Sequence, residues 1–123
     1  MFSNIRTSKA NKEVVTQLTN KLNLGAENTI ARLAFSYSLA KEQYLDLTKI
    51  EDSAGKEYSS RVLFGNYVDI YVALICVHYN IQKEDKDVGR YIKMHIDEGL
   101  KLIELPAVIN YNDMINRIPL MNE

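Results

Sequence analysis

The chain has 123 residues, is 46% hydrophobic and carries a net charge of −1, which is enough to bury one core and too little to favour two domains. Residues 1–50 hold seven Lys and Arg against four Asp and Glu, a net +3, while residues 51–123 hold eight against twelve, a net −4. This excludes a nucleic-acid binder that is basic all over, so any such contact must be a patch in the first half.

The chain opens on a short extended segment through Arg6, Thr7, Ser8 and Lys9. Its cations Arg6, Lys9 and Lys12 precede the first acidic residue, so on sequence alone the segment approaches a phosphate backbone without internal neutralisation. Val14, Leu18 and Leu22 then recur at four-residue spacing, with Val15 widening the stripe, which predicts an amphipathic helix. Ser8 or Asn11 suits its start, and Gly25 suits the left-handed residue that ends it. A second helix is expected from Glu27 or Asn28, with Ile30, Leu33, Ala34 and Tyr37 on its buried face and Arg32 pointing elsewhere.

The polar stretch 46–60, with Asp52, Ser53, Ala54 and Gly55 as a turn, reads as a loop or exposed crossover and as the most mobile segment. From 61 to 80 the apolar residues lie almost all round a helical wheel; the β-branched run 70–77 also fits a buried strand, and length favours helix. Such a helix must be central or covered by a partner subunit. Val88, Tyr91, Ile92, His95, Ile96, Gly99 and Ile103 repeat at three and four, and Pro106 ends that helix. The tail 107–123 reads as an appendage that docks on the domain or on a partner. The expected architecture is mainly α: a compact single-domain helical fold over 1–123 with a short N-terminal extended segment and a ribbon-helix-helix-like N-terminal half.

The apolar run 70–77 is far below the roughly 18 residues of a membrane-spanning helix. The start Met1, Phe2, Ser3, Asn4, Ile5 has no basic flank followed by a long apolar stretch. The expectation is a soluble, cytoplasmic protein without membrane contact. The single cysteine, Cys76, sits in the same apolar run and reads as a small hydrophobe. One cysteine permits no disulfide within the chain, which fits a reducing compartment.

No glycine-rich GxxxxGK[ST] loop is present, so nucleotide hydrolysis is not expected. His78 and His95 stand 17 residues apart without well-placed acidic companions, so neither a metal site nor another cofactor is expected, and His95 reads as a core histidine. The basic set Arg6, Lys9, Lys12, Lys21 and Arg32 is the candidate DNA-binding surface. Glu57, Tyr58 and Arg61 are candidates for strand nicking, which needs a nucleophile activator and a charge stabiliser, although no spacing singles them out. DNA holding without catalysis is the favoured reading.

Several positions together resemble the DndE family of DNA phosphorothioation systems. They begin with Ile5, Arg6, Thr7, Ser8 and Lys9 and continue through Asn28, Arg32, Ala34, Phe35, Ser38 and Leu39. Gly55, Glu57, Leu63 and Gly65 follow, and His95, Glu98 and Gly99 close the series in a spacing like the family's His-Leu-Asn-Arg-Gly. The family's Thr-Gly-Leu-Thr-Pro turn is Asn23, Leu24, Gly25, Ala26, Glu27 here, the arginine expected after Glu57 stands at Arg61, and Asn66 replaces a glutamate. The resemblance implies a helical, homo-oligomeric subunit, a tetramer or a dimer, that holds duplex DNA, nicked duplex in particular, in a restriction-modification setting. Its partners would be an ATPase and a sulfurtransferase that carry the sulfur chemistry. Two alternatives remain: a nicking endonuclease of the same system, and a ribbon-helix-helix transcriptional regulator, in which a strand enters the major groove and the second helix meets phosphate.

Overall fold

The computed structural model describes residues 2–103, so the tail 107–123 and the stop at Pro106 lie outside the described residues. In chain order the elements are β1 (Asn4–Arg6), α1 (Asn11–Lys21), α2 (Glu27–Ala40), a 3-10 turn at Leu47–Lys49 and β2 (Glu57–Ser59). After them come α3 (Ser60–Phe64), a second 3-10 turn at Gly65–Tyr67, α4 (Val68–Tyr79) and α5, described over 88–103. The fold is mainly α, as expected.

The extended segment does find a strand partner, and it lies in the same chain. β1 pairs antiparallel with β2 in the register Asn4↔Ser59, Ile5↔Tyr58, Arg6↔Glu57. The polar stretch 46–60 is thus no free loop: it carries β2, and Gly55 N–H donates to the Thr7 carbonyl at 2.9 Å while Thr7 N–H donates to the Lys56 carbonyl at 2.9 Å.

Helix α1 buries Val14, Val15 and Leu18 as the spacing predicts, but Leu22 lies past its end and is 45% exposed. Ser8 caps the start, its Oγ accepting from Asn11 N–H at 3.3 Å. The end is a Schellman motif: Leu24 N–H reaches the Thr19 carbonyl and Asn23 N–H the Asn20 carbonyl. The left-handed residue is therefore Asn23 (φ 53), whereas Gly25 (φ 82) turns the connection to α2. Asparagine tolerates that conformation, which is why a glycine-based reading lands two residues late.

Helix α2 buries Ile30, Ala31, Ala34, Phe35 and Ser38, a face rotated from the expected one; Leu33 and Tyr37 are exposed. Small residues face the core because α5 approaches closely. A Cβ on Gly99 would fall 1.9 Å from the Ala34 carbonyl oxygen, and four residues along each helix the Ser38 Oγ lies 2.8 Å from His95 Nδ1. The pairs 34–99 and 38–95 make the helices antiparallel. Phe35 sets the centre of the core, edge-on to Phe64 at 5.4 Å and Tyr71 at 5.7 Å.

The 61–80 segment is helical but broken at Gly65, whose φ of 60 ends α3. Taken together Ser60–Tyr79 spans 20 residues with a mean hydropathy of 1.4 over 18 of them, long and apolar enough by length and composition to cross a membrane, although the run 70–77 alone is not. Here Leu63, Phe64, Val72 and Ile75 of this segment lie in the core. Nor is α4 central: Ile70, Leu74 and Val77 on its outer side are 57%, 45% and 82% exposed.

His95 is fully buried. The Tyr79 hydroxyl accepts from Leu45 N–H at 3.0 Å and lies 2.5 Å from His95 Nε2, while Ser38 Oγ lies 2.8 Å from His95 Nδ1, so each ring nitrogen has a hydrogen-bond partner. Burial, with His78 nearby, lowers the His95 pKa from 6.5 to about 4. The folded protein then binds fewer protons at this site than the unfolded chain, so its stability is intact above pH 6.5 and is lost as pH falls towards 4, by up to about 3 kcal/mol. Denaturant titrations at pH 7 and pH 4.5 are expected to show this slope in the native sequence and a flatter one in His95→Gln.

Candidate nucleic-acid interface

The fold brings acidic residues to the cations that lead the sequence. The antiparallel register sets Arg6 opposite Glu57, and Arg6 Nε lies 3.3 Å from Glu57 Oε1. The expectation of an N-terminal segment free of internal neutralisation is thus corrected at Arg6. Lys9 meets Asp52 through its backbone: Lys9 N–H donates to Asp52 Oδ2 at 2.9 Å. That bond and one from Ala54 N–H at 3.0 Å hold the Asp52 carboxyl below its ordinary pKa.

The five predicted residues do not share one face. Lys12 and Lys21 lie nine residues apart on α1, two and a half turns and about 14 Å along the axis, on opposite flanks of its buried stripe. Arg32 is half-buried, and its Nη1 donates to the Leu63 carbonyl at 3.3 Å, tying α2 to α3. Lys9 and Lys12 do come together. Lys12 N–H donates to the Lys9 carbonyl at 3.1 Å in the first turn leading into α1, a spacing that places both exposed side chains on one side. Among the described residues neither makes an ion pair.

The ground beneath this turn is held by buried polar contacts. Asp97 of α5 accepts from Ser8 N–H at 3.0 Å and from Asn11 Nδ2 at 2.9 Å through Oδ1, and its Oδ2 lies 2.7 Å from Lys93 Nζ. Lys93 also donates to the Asp52 carbonyl at 2.7 Å. Lys93 and Asp97 are both buried, at 5% and 4% exposure.

Sequence reasoning missed a neighbouring cleft of about 470 Å³ between β1 and the start of α5, which brings Arg6 together with Lys86, Arg90 and Lys93. Glu57, Glu84 and Asp85 line it too, and Arg90 pairs with Asp87 at 3.0 Å, so the cleft is close to neutral. Lys86 and Arg90 stand among Glu84, Asp85 and Asp87 in sequence, and no local signal links them to Arg6.

The nicking candidates separate. Glu57 is engaged by Arg6, Arg61 is exposed on α3, and the Tyr58 hydroxyl is buried without a hydrogen-bond partner among the described residues. Burial, followed by the nearby Glu27 carboxylate, raises the Tyr58 pKa, the opposite of what an activated nucleophile needs. Cys76 is half-buried, with its thiol pKa raised chiefly by burial and further by Glu84 and Asp85. Among the described residues no group of three or more His, Cys, Asp or Glu is arranged to hold a metal ion.

The family model described as DNA sulphur modification protein DndE matches residues 4–110. The chain belongs to the DndE family. A solved structure similar to it is that of DndE from Escherichia coli B7A, described as involved in DNA phosphorothioation modification. The likeness covers 82% of this chain and 96% of that one at a TM-score of 0.66 and 18% sequence identity, and establishes a shared fold. No curated protein sequence matches the chain. In this DndE-family chain the β1–β2 pair and the Asp97 contacts fix the segment Ile5, Arg6, Thr7, Ser8, Lys9.

An unpartnered buried hydroxyl costs desolvation without return. Tyr58→Phe is therefore expected to leave stability unchanged or raise it by up to about 1 kcal/mol, read as the midpoint of urea unfolding.

Proposed function

We propose that this protein is a DNA-holding accessory subunit of the DNA phosphorothioation system, gripping duplex DNA by its phosphates through Lys9 and Lys12. Membership of the DndE family supports a role in that system. The observation that carries the DNA contact is the Lys9–Lys12 turn: two exposed ammonium groups, without an ion-pair partner among the described residues, on one side of a hydrogen-bonded backbone. Phosphates take such point charges without reading sequence. Sulfur activation and transfer belong in this reading to partner subunits, an ATPase and a sulfurtransferase, because Cys76 is a half-buried thiol of raised pKa. The buried Tyr58 hydroxyl weighs against nicking by this chain.

Binding to mixed-sequence duplex is expected to weaken steeply with salt, with Lys9→Ala and Lys12→Ala each reducing the slope by roughly one unit. Lys9→Glu with Lys12→Glu should abolish a gel shift on intact and nicked duplex alike; an unchanged shift would move the site elsewhere. Strong preference for one sequence would favour the transcriptional regulator, and strand scission the nicking enzyme.

The same subunit, in this proposal, assembles through the outer face of α4. Asp69, Ala73 and Val77 border an apolar groove on each side, one with Ile70, Leu74 and Leu39, the other with Val72 and Cys76. A ridge between two grooves is self-complementary, so a second copy can seat its own α4 there by ridges-into-grooves packing. Light scattering is expected to give a dimer or tetramer for the native chain and a single-chain mass for Leu74→Lys with Val77→Lys. A single-chain mass for the native protein at all micromolar concentrations would overturn the assembly.

A further inference from the structure

We propose that Asp52 is a positioning residue for the DNA contact, holding the backbone of Lys9 so that the Lys9 and Lys12 side chains meet phosphate together. The inference rests on the proposed DNA-holding role of these lysines and adds to it the group that aims them.

A carboxylate beside a phosphate-binding lysine is unfavourable on charge alone, since it repels the incoming backbone. What this one does instead is geometric. Asp52 Oδ2 accepts from the N–H groups of Lys9 and Ala54, at 2.9 and 3.0 Å, so the carboxylate is held by its own loop while it holds Lys9. The loop is fixed in turn: the Asp52 carbonyl accepts from Lys93, whose ammonium pairs with Asp97, and Asp97 binds Ser8 N–H and Asn11 Nδ2 on either side of Lys9. The contacts close a ring through Lys9, Asp52, Lys93, Asp97 and Ser8, the residue before Lys9. Gly55 makes the closure possible, because a Cβ there would fall 2.2 Å from the Ser8 carbonyl oxygen.

Releasing Lys9 N–H frees a backbone turn that otherwise enters the complex already ordered, so binding would carry that ordering cost. Replacing Asp97 or Lys93 would leave the other as an uncompensated buried charge and confuse folding with binding. Asp52 is exposed, and its variants avoid that problem.

The test measures affinity of the full chain for a nicked duplex of mixed sequence, with thermal unfolding as a check on folding. Asp52→Ala, which removes both charge and acceptor, is expected to bind about five-fold more weakly, the scale of one lost hydrogen bond. Asp52→Asn keeps the acceptor and removes the charge, and is expected to bind at least as tightly as the native chain. In a Lys9→Ala background the Asp52→Ala penalty should vanish, because the two act through one contact. Tighter binding by Asp52→Ala, as charge removal alone dictates, would overturn the inference, as would a penalty that persists without the Lys9 side chain. An affinity unmoved by Lys9→Ala itself would overturn the phosphate role of Lys9 and this inference with it.

Discussion

The buried ion pair of Lys93 and Asp97 is the contact on which the N-terminal segment and the 52–56 loop depend. Both groups are removed from water, and such a pair compensates its desolvation only when further hydrogen bonds fill the remaining valences. Here Asp97 takes the Ser8 N–H and the Asn11 amide, and Lys93 takes the Asp52 carbonyl. The partners that make the pair tolerable are the N-terminal segment, the first turn of α1 and the 52–56 loop. One α5 carboxylate therefore joins parts of the chain 86 to 89 residues apart, and the backbone that presents Lys9 and Lys12 has little freedom while the pair is intact.

That arrangement requires α5 to sit close beneath the N-terminal half, and the Gly99–Ala34 contact brings it there. With no side chain at Gly99 the two helix backbones approach to a distance any Cβ would forbid. His95, one turn earlier, fills the same interface with a polar ring satisfied on both nitrogens by Ser38 and Tyr79. Tyr79 is the C-terminal residue of α4 and also binds Leu45, so the same histidine ties α2, α4, α5 and the start of the long connection together. A buried neutral histidine of this kind specifies register at the cost of acid tolerance.

What could be read in the sequence was what is local. The three- and four-residue spacing of Val14 and Leu18, or of Val88, Ile92 and Ile96, reports the buried stripe of a helix because the stripe follows from the helix repeat itself. Leu33 and Tyr37 misled because which apolar residues face inward on α2 was decided by the approach of α5, a tertiary constraint that prefers Ala34 and Ser38. β2 was invisible for a related reason: Glu57–Ser59 has no alternation long enough to announce a strand and exists through pairing with β1 some fifty residues away. The candidate site shows the same division. Lys9 and Lys12 were legible as a local cluster; the neutralisation of Arg6 by Glu57, the tethering of Arg32 to Leu63 and the arrival of Lys86 and Arg90 beside Arg6 all depend on long-range contacts.

The charge balance bears on why such a subunit would assemble at all. A chain of net charge −1 exerts no long-range pull on DNA, and with a screening length of about 8 Å at physiological ionic strength the two clustered lysines of the proposed contact would act only at close range. Two phosphate contacts give weak, salt-sensitive binding. Copies joined through α4 would present several such turns at once, and because each later contact is intramolecular, the assembly would hold DNA far more tightly than one chain without any new basic residue. Under that proposal the exposed apolar face of α4, with Ile70, Leu74 and Val77, and the sparse basic turn of Lys9 and Lys12 would answer one requirement: a grip on the phosphate backbone strong enough to retain duplex, made from a surface too nearly neutral for one copy to bind tightly.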